Sequence, residues 1–202
     1  MESRIVYFDK PGRDNSDAVF EIAKMRAKEL GIKTMIVSST TGETALKAVD
    51  ALKGYKVVIV SHVTGSREPN VNPMPDETMK TVRAKGAVIV TAAHAFGGID
   101  RAMRRSFNMM NLGEEIASVL RIFGQGMKVV CEICLMAADA GAVRTDEEVI
   151  SIGGTGRGVD TAVVLSPVNT TEFFNLRVKE ILCKPRLEAV KPGPATPPPP
   201  AR

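Results

Sequence analysis

The chain has 202 residues, 44% hydrophobic and 25% charged, a globular composition that excludes a wholly disordered or membrane-spanning protein. That length holds one domain, or one domain with an appendage. The formal net charge is +4 and the pI near 9.0, which suggests an anionic partner once the charge is located along the chain.

Trp is absent, and Phe and Tyr number seven and two, so platforms for stacking single-stranded bases are scarce. Cys131, Cys134 and Cys183 cannot all pair, as expected of a reducing compartment. The first residues, MESRIVYFDKPGR, lack a signal-peptide apolar region. No apolar run approaches the roughly 18 residues of a membrane helix. A cytoplasmic protein is expected, with neither a membrane nor a nucleic-acid partner.

Residues 1–184 read as one α/β domain. Arg4 to Phe8 is a short β-rich run ended by Lys10-Pro11-Gly12. Asp14 or Asn15 can cap a helix whose apolar face is Val19, Ile22, Ala23, Met25 and Leu30, stopped at Gly31. Lys33 to Ser38 reads as strand, Thr44 to Leu52 as helix and Lys56 to Ser61 as strand. Gly65 to Pro75 is a loop rich in proline and asparagine, the best candidate for a mobile lid. A helix over Asp76 to Lys85 precedes a strand at Ala87 to Thr91. Strands at about 25-residue intervals with helical crossovers imply parallel βαβ units.

The second half changes rhythm. Gly113 to Phe123 and Met127 to Asp139 both fit helices, the latter through Met127, Val130, Cys131, Cys134, Leu135 and Ala138. The apolar residues from Leu112 to Phe123 suit a homo-oligomer contact as well as a core. Glu148 to Ile152 and Thr161 to Ser166 flank a glycine-rich loop, as two adjacent strands would, and Val178 to Cys183 allows a further strand.

From Pro185 to Arg202 the chain reads PRLEAVKPGPATPPPPAR. This proline-rich tail is expected to be polyproline II or disordered. Lys184, Arg186, Lys191 and Arg202 against Glu188 give the C-terminal stretch +3, leaving the domain about +1. A broad basic face on the domain therefore loses its support.

In a parallel sheet, ligands bind outside the carboxyl ends of the strands. Those ends lead into Asp9-Lys10-Pro11-Gly12-Arg13, into SSTTGETA (Ser38 to Ala45), into Ser61-His62-Val63-Thr64-Gly65 and into Thr91-Ala92-Ala93-His94. SSTTGETA couples hydroxyls and a glycine to a helix start, where exposed amides suit a phosphate without any lysine. The same residues suit a plain capping turn, Thr41 with Thr44 or Ser39 with Gly42. No Gly-Lys-Ser/Thr follows, so it is not a P-loop.

The run Gly153-Gly154-Thr155-Gly156-Arg157-Gly158-Val159-Asp160-Thr161 is not a dinucleotide fingerprint, since Val159 replaces the third glycine and a strand follows. It can wrap an anion with backbone amides and Arg157, or serve as a flexible hairpin.

SSTTGETA and GGTGRGVDT resemble the two phosphate-contact loops of the pyruvate kinase C-terminal domain, which in that family hold a sugar-bisphosphate effector. FDKPGRDN, IVSSTTGETA, MAADAG and GGTGRGVDTAVV together resemble more closely a family of small, free-standing archaeal and bacterial proteins of the same fold, over roughly Ile5 to Arg186. The resemblance implies a three-layer α/β/α fold, mostly parallel with an antiparallel edge.

It also implies flavin mononucleotide (FMN) as cofactor. The flavin phosphate would lie on Ser38, Ser39, Thr40, Thr41, Gly42, Glu43 and Thr44. Arg157 would assist, with the backbone of Gly154, Thr155, Gly156 and Gly158. Lys10, His62, Thr64 and Gly65 would border the ribityl or ring portion. The expected function is binding of a phosphorylated small molecule, with flavin-dependent oxidoreductase chemistry if the protein is an enzyme. The alternative is a non-catalytic sensor for a sugar phosphate or nucleotide. Kinase activity is not implied, because no pyruvate kinase barrel fits in this length.

Smaller signals have plainer readings. Cys131-Glu132-Ile133-Cys134 sits in an apolar helix without a second ligand pair, so buried packing is expected and no metal site. Glu132, Met136 and Asp139 line one helix stripe, read as a solvated face, or else as a carboxylate among Val130, Cys131 and Ile133 that faces a pocket. His62 and His94 are satisfied structural histidines or acid–base groups. Arg101, Arg104 and Arg105 fit an exposed helix face.

Overall fold

A computed structural model describes residues 3–188. The strands are β1 (Val6–Phe8), β2 (Thr34–Ser39), β3 (Lys56–Ser61), β4 (Val88–Val90), β5 (Val149–Gly153), β6 (Thr161–Ser166) and β7 (Arg177–Pro185). The helices are α1 (Ser16–Leu30), α2 (Glu43–Ala51), α3 (Asp76–Ala84), α4 (Gly98–Phe107), α5 (Leu112–Arg121) and α6 (Gln125–Asp139). Among the described residues the seven strands form one sheet in the order β1-β7-β6-β5-β2-β3-β4. Strands β5–β6 and β6–β7 pair antiparallel and every other pair is parallel. Only β6 therefore runs against the other six, and β1 closes its end of the sheet in parallel with β7.

The alternation of the strand residues builds two cores. Met35, Val37, Ile59, Ile150, Ile152 and Val164 pack on one face with Val19, Phe20 and Ala23 of α1 and with Ala45, Ala48 and Val49 of α2. Their neighbours Ile36, Val58, Val60, Val149, Val163 and Leu165 pack on the other with α6. Successive side chains on a strand point to opposite faces, so hydrophobic runs such as Val57–Val60 are needed where both faces are covered. Phe20 is 1% exposed, and truncating such a side chain to alanine costs about 3–5 kcal/mol.

Helix α6 carries the second core. Twelve of its residues from Gly126 to Ala138 are buried, which is why its sequence looks apolar all round. The expected solvated stripe is corrected here. Glu132 and Met136 are 3% and 4% exposed, and only Asp139 reaches solvent, where it accepts hydrogen bonds from Asn169 and Thr170. On α1, Met25 is 59% exposed rather than part of the core, and Phe20 and Ala27 take that place. Neither Asp14 nor Asn15 caps α1 through its side chain; Asn15 instead donates to the Lys10 and Gly12 carbonyls.

The last strand extends the ordered body slightly past the sequence boundary. Pro185 pairs with Phe8 in the sheet, and the Arg186 amide donates to the Phe8 carbonyl at 2.9 Å. The proline-rich stretch from Ala189 onward lies outside the described residues. Among those residues, no helix is long and apolar enough to cross a membrane.

Strand order places the site. From β2 the chain moves through α2 to its neighbour β3, whereas β5, on the other side of β2, turns directly into β6. Connections leaving neighbouring parallel strands in opposite directions open a crevice at their carboxyl ends. SSTTGETA follows β2 and the glycine-rich loop follows β5, so the two loops flank this crevice.

Candidate functional site

The residues singled out in the sequence all lie along the carboxyl rim of the six co-directional strands: Lys10 after β1, Ser38 to Thr44 at the end of β2, His62 to Gly65 after β3, and Gly154 to Gly158 after β5. They do not form one pocket. Glu43, Thr44 and Gly158 line a cleft of about 360 Å3 together with Arg13, Asp14, Ser16, Asp17 and Lys47. The first turns of α1 and α2 both open into it. Their leading amides have no acceptor within the helix, and the helix dipole makes these ends partly positive.

The loop before α2 has a divided role. Ser39 Oγ accepts the Ala45 amide at 3.1 Å, so this hydroxyl serves the capping function that the sequence left open. Gly42 is the N-cap residue, with φ of +93°. A Cβ there would also meet Thr78 Cγ2 at 2.4 Å and Met74 Cγ at 3.1 Å, so the glycine permits contact between the loop and α3. Thr44 is buried and lines the cleft. Ser38 is half-buried, and Thr40 and Thr41 are exposed on the rim.

The glycine-rich loop is held by a residue the sequence reading did not assign to the site. Asp160, fully buried, accepts hydrogen bonds from the amides of Gly12 at 2.9 Å and Thr155 at 3.0 Å, and from the Thr161 hydroxyl at 2.8 Å. Ser16 adds a second tie, accepting the Val159 amide at 3.1 Å and donating to the Arg13 carbonyl at 2.7 Å. Gly158, at φ of +71°, lies so close to Arg13 that a Cβ would stand 2.3 Å from its Cα. The N-terminal loop and the hairpin therefore form one wall of the cleft. Gly156 and Arg157 stay exposed on its outer side.

A second polar cluster occupies the rim beyond β3 and β4. The rings of His62 and His94 lie 4.4 Å apart. His94 Nδ1 faces Glu132 Oε2 at 3.4 Å, the Phe96 amide donates to Glu132 Oε1 at 3.2 Å, and Lys128 pairs with the same carboxylate. Burial works against ionising Glu132, but the His94 contact and the Lys128 charge together hold its pKa down at about 2. Lys128 is itself pushed below the ordinary lysine value, by burial that outweighs Glu132. His62 lies below 6.5 through burial, then the His94 charge, with further contributions from Arg101 and Arg67. His94 Nε2 is buried without a hydrogen-bond partner among the described residues.

The 65–75 segment is hydrogen-bonded to the rim at both of its ends. The Gly65 amide donates to the Val71 carbonyl at 3.0 Å, and Asn72 Nδ2 donates to the His62 carbonyl at 3.0 Å and to Thr64 Oγ1 at 3.2 Å. Met74 is buried against Gly42. Residues 67–71 of this segment are exposed.

A family model described as pyruvate kinase, alpha/beta domain, matches residues 17–165. The chain belongs to this family. The match begins in the first turn of α1, ends in β6 and includes both phosphate-loop candidates, with Asp17, Glu43, Thr44, Lys47 and Gly158 of the cleft. It leaves out β1, β7, Lys10 and Arg13. The α/β architecture and mixed sheet agree with the family expected from the motifs.

Of the cleft residues, Arg13, Asp14, Ser16, Asp17 and Lys47 were not identified from sequence as site residues. Arg13-Asp14-Asn15-Ser16 sits at a breaker-to-helix junction on the ligand edge, a local signal that could have nominated Arg13 and Ser16. Lys47 carries no such signal, because only the docking of α1 against α2 brings it to the cleft.

Proposed function

We propose that this chain binds a phosphorylated small molecule at the carboxyl rim, with the phosphate in the cleft between Thr44 and Gly158. The observation that carries this reading is the convergence of the α2 first turn, the end of the glycine-rich loop and Arg13 on one cleft. Directional donors are at hand in the leading α2 amides, the Thr44 hydroxyl, Arg13 and Lys47. Asp14, Asp17 and Glu43 offset the two cations, and Lys47 already lies 3.9 Å from Asp17. Affinity would therefore rest on direct hydrogen bonds more than on a positive field.

FMN is the ligand implied by the motif resemblance. The cleft residues fit its phosphate. They do not fit its planar ring, because every lining side chain except at Gly158 carries a charge or a hydroxyl. The ring would have to lie farther along the rim, toward His62 and Thr64. A bound flavin would supply hydride or electron transfer; Thr44 and Arg13 would anchor the phosphate, and His62 would border the ring. The polar lining favours a second reading, a sensor that takes a sugar phosphate and has no redox role.

Titration with FMN, fructose bisphosphate and inorganic phosphate, read by thermal stability and flavin fluorescence, tests both readings. A ligand at about 100 times its Kd adds roughly 2.7 kcal/mol to stability. FMN-specific stabilisation with quenched fluorescence supports the flavin reading, and stabilisation by the bisphosphate alone supports the sensor. No shift with any of the three rejects the phosphate site. The shift should shrink in Thr44→Val and Arg13→Ala and grow in Asp17→Asn.

A further inference from the structure

We propose that the α4–α5 face is the interface of a homodimer, with a second copy of this chain as its occupant. Of the described residues, Ile99, Phe107, Met109, Met110, Leu112, Val119, Ile122 and Phe123 are large hydrophobics between 50% and 81% exposed, all within a single helical hairpin and its flanks. At on the order of 200 Å2 per large side chain, they present roughly 1,000 Å2 of apolar surface. A monomer rarely exposes a contiguous patch above about 300–600 Å2, and a stable interface takes about 800 Å2 from each partner.

The helices themselves need a partner. Helix α4 has ten residues and none of them is buried, although Ile99, Met103 and Phe107 recur every four residues along one side. A helix this short gains most of its stability from packing an apolar face. Within the described residues its ties to α5 are polar: Asp100 accepts the Gly113 amide at 2.9 Å, and Arg104 pairs with Glu114 at 3.2 Å. Helix α5 buries only Ala117 fully, leaving Leu112 and Val119 outside.

Charges of both signs border the face: Arg104 on α4 pairs with Glu114 on α5 at 3.2 Å, and Glu115 follows on α5. A two-fold contact of a surface with itself requires such self-complementarity, whereas a lipid or nucleic-acid surface would favour uniform positive charge. The segment 189–202 is a poorer occupant, since its one large aliphatic side chain is Val190.

Sedimentation equilibrium of the full chain tests the proposal. Two copies are expected for the unmodified protein and for Met25→Glu, an equally exposed position on α1. Ile122→Glu and Val119→Glu should each weaken association at least about 30-fold, the scale of losing one interface hot spot, with unchanged far-ultraviolet circular dichroism. Hydrogen exchange provides a readout that needs no substitution, because α4 amides should lose protection on dilution. A monomer at all concentrations overturns the proposal. So does a dimer that survives both α5 substitutions, or one in which dilution exposes some other surface.

Discussion

Asp160 binds Gly12 across 148 residues of sequence, its carboxylate Oδ2 accepting the glycine amide at 2.9 Å. The same oxygen accepts the Thr155 amide, so one buried group sets the distance between the N-terminal loop and the glycine-rich hairpin. Removing an acceptor shared by buried donors leaves each donor unsatisfied. Asp160→Ala should cost about 3 kcal/mol or more in urea unfolding. Asp160→Asn, which retains one acceptor oxygen, should cost less. A near-neutral alanine variant would show that the two loops are held by other contacts.

Gly42 separates a fold requirement from a ligand requirement. A side chain there is strained by the positive φ and meets Thr78 at 2.4 Å, so Gly42→Val should lower stability by about 2 kcal/mol or more with or without ligand. Thr44→Val keeps volume at a position that lines the cleft and should reduce phosphate affinity with a smaller loss of stability. Selective loss of binding at unchanged stability in Gly42→Val would instead mean that Gly42 approaches the ligand directly.

Acid should unfold the protein partly through Glu132. Its folded pKa of about 2 lies below the ordinary 4.5, so its contribution is complete above about pH 4.5 and is lost as pH falls toward 2. That difference corresponds to on the order of 3 kcal/mol. Glu132→Gln should flatten this part of the stability profile while lowering stability at neutral pH. His62 acts in the same direction at higher pH: with its pKa held below 6.5, stability declines as pH falls below 6.5. The chain has two histidines, so imidazole NMR can assign His62 directly, and a midpoint at or above 6.5 would contradict this account.

The thiols should behave as core side chains. Burial raises Cys131 and Cys183 to about 12, and Cys134 is raised further by burial and its neighbour Cys131. With thiolate scarce and access closed, an aromatic disulfide reagent at pH 8 should modify all three only at the rate of unfolding. Rapid labelling of Cys131 or Cys134 in the folded state would reopen a redox role for the C-x-x-C segment.

Hydrophobic period and breaker residues were enough to locate the strands and most helices, because those patterns are local. The strand Lys56–Ser61 and the helix from Ser16 to Gly31 are examples. Glu132 was harder to read. A carboxylate on a helical stripe with Asp139 looks solvated until α6 is placed between the sheet and the Phe96 segment, where His94 and Lys128 become its partners. The cleft shows the same limit. SSTTGETA and GGTGRGVDT can be recognised one at a time, but Lys47 joins them only when α1 and α2 pack side by side, and Arg13 meets Gly158 only when the N-terminal loop lies against the hairpin.

The sequence alone determined the α/β class, the family and which residues lie on the carboxyl edge, since each follows from short-range pattern: alternating strands and helices, two loop motifs and the residues after each strand. Its +4 charge pointed to an anion, and the local count moved that charge largely to the proline-rich end. Tertiary structure decided which rim residues meet, because β5 lies beside β2 although about 110 residues separate them. It also decided that Asp160 is a tether and that the α4–α5 hydrophobics stay outside the core. Burial and partnership depend on contacts between distant segments, and no local pattern encodes them.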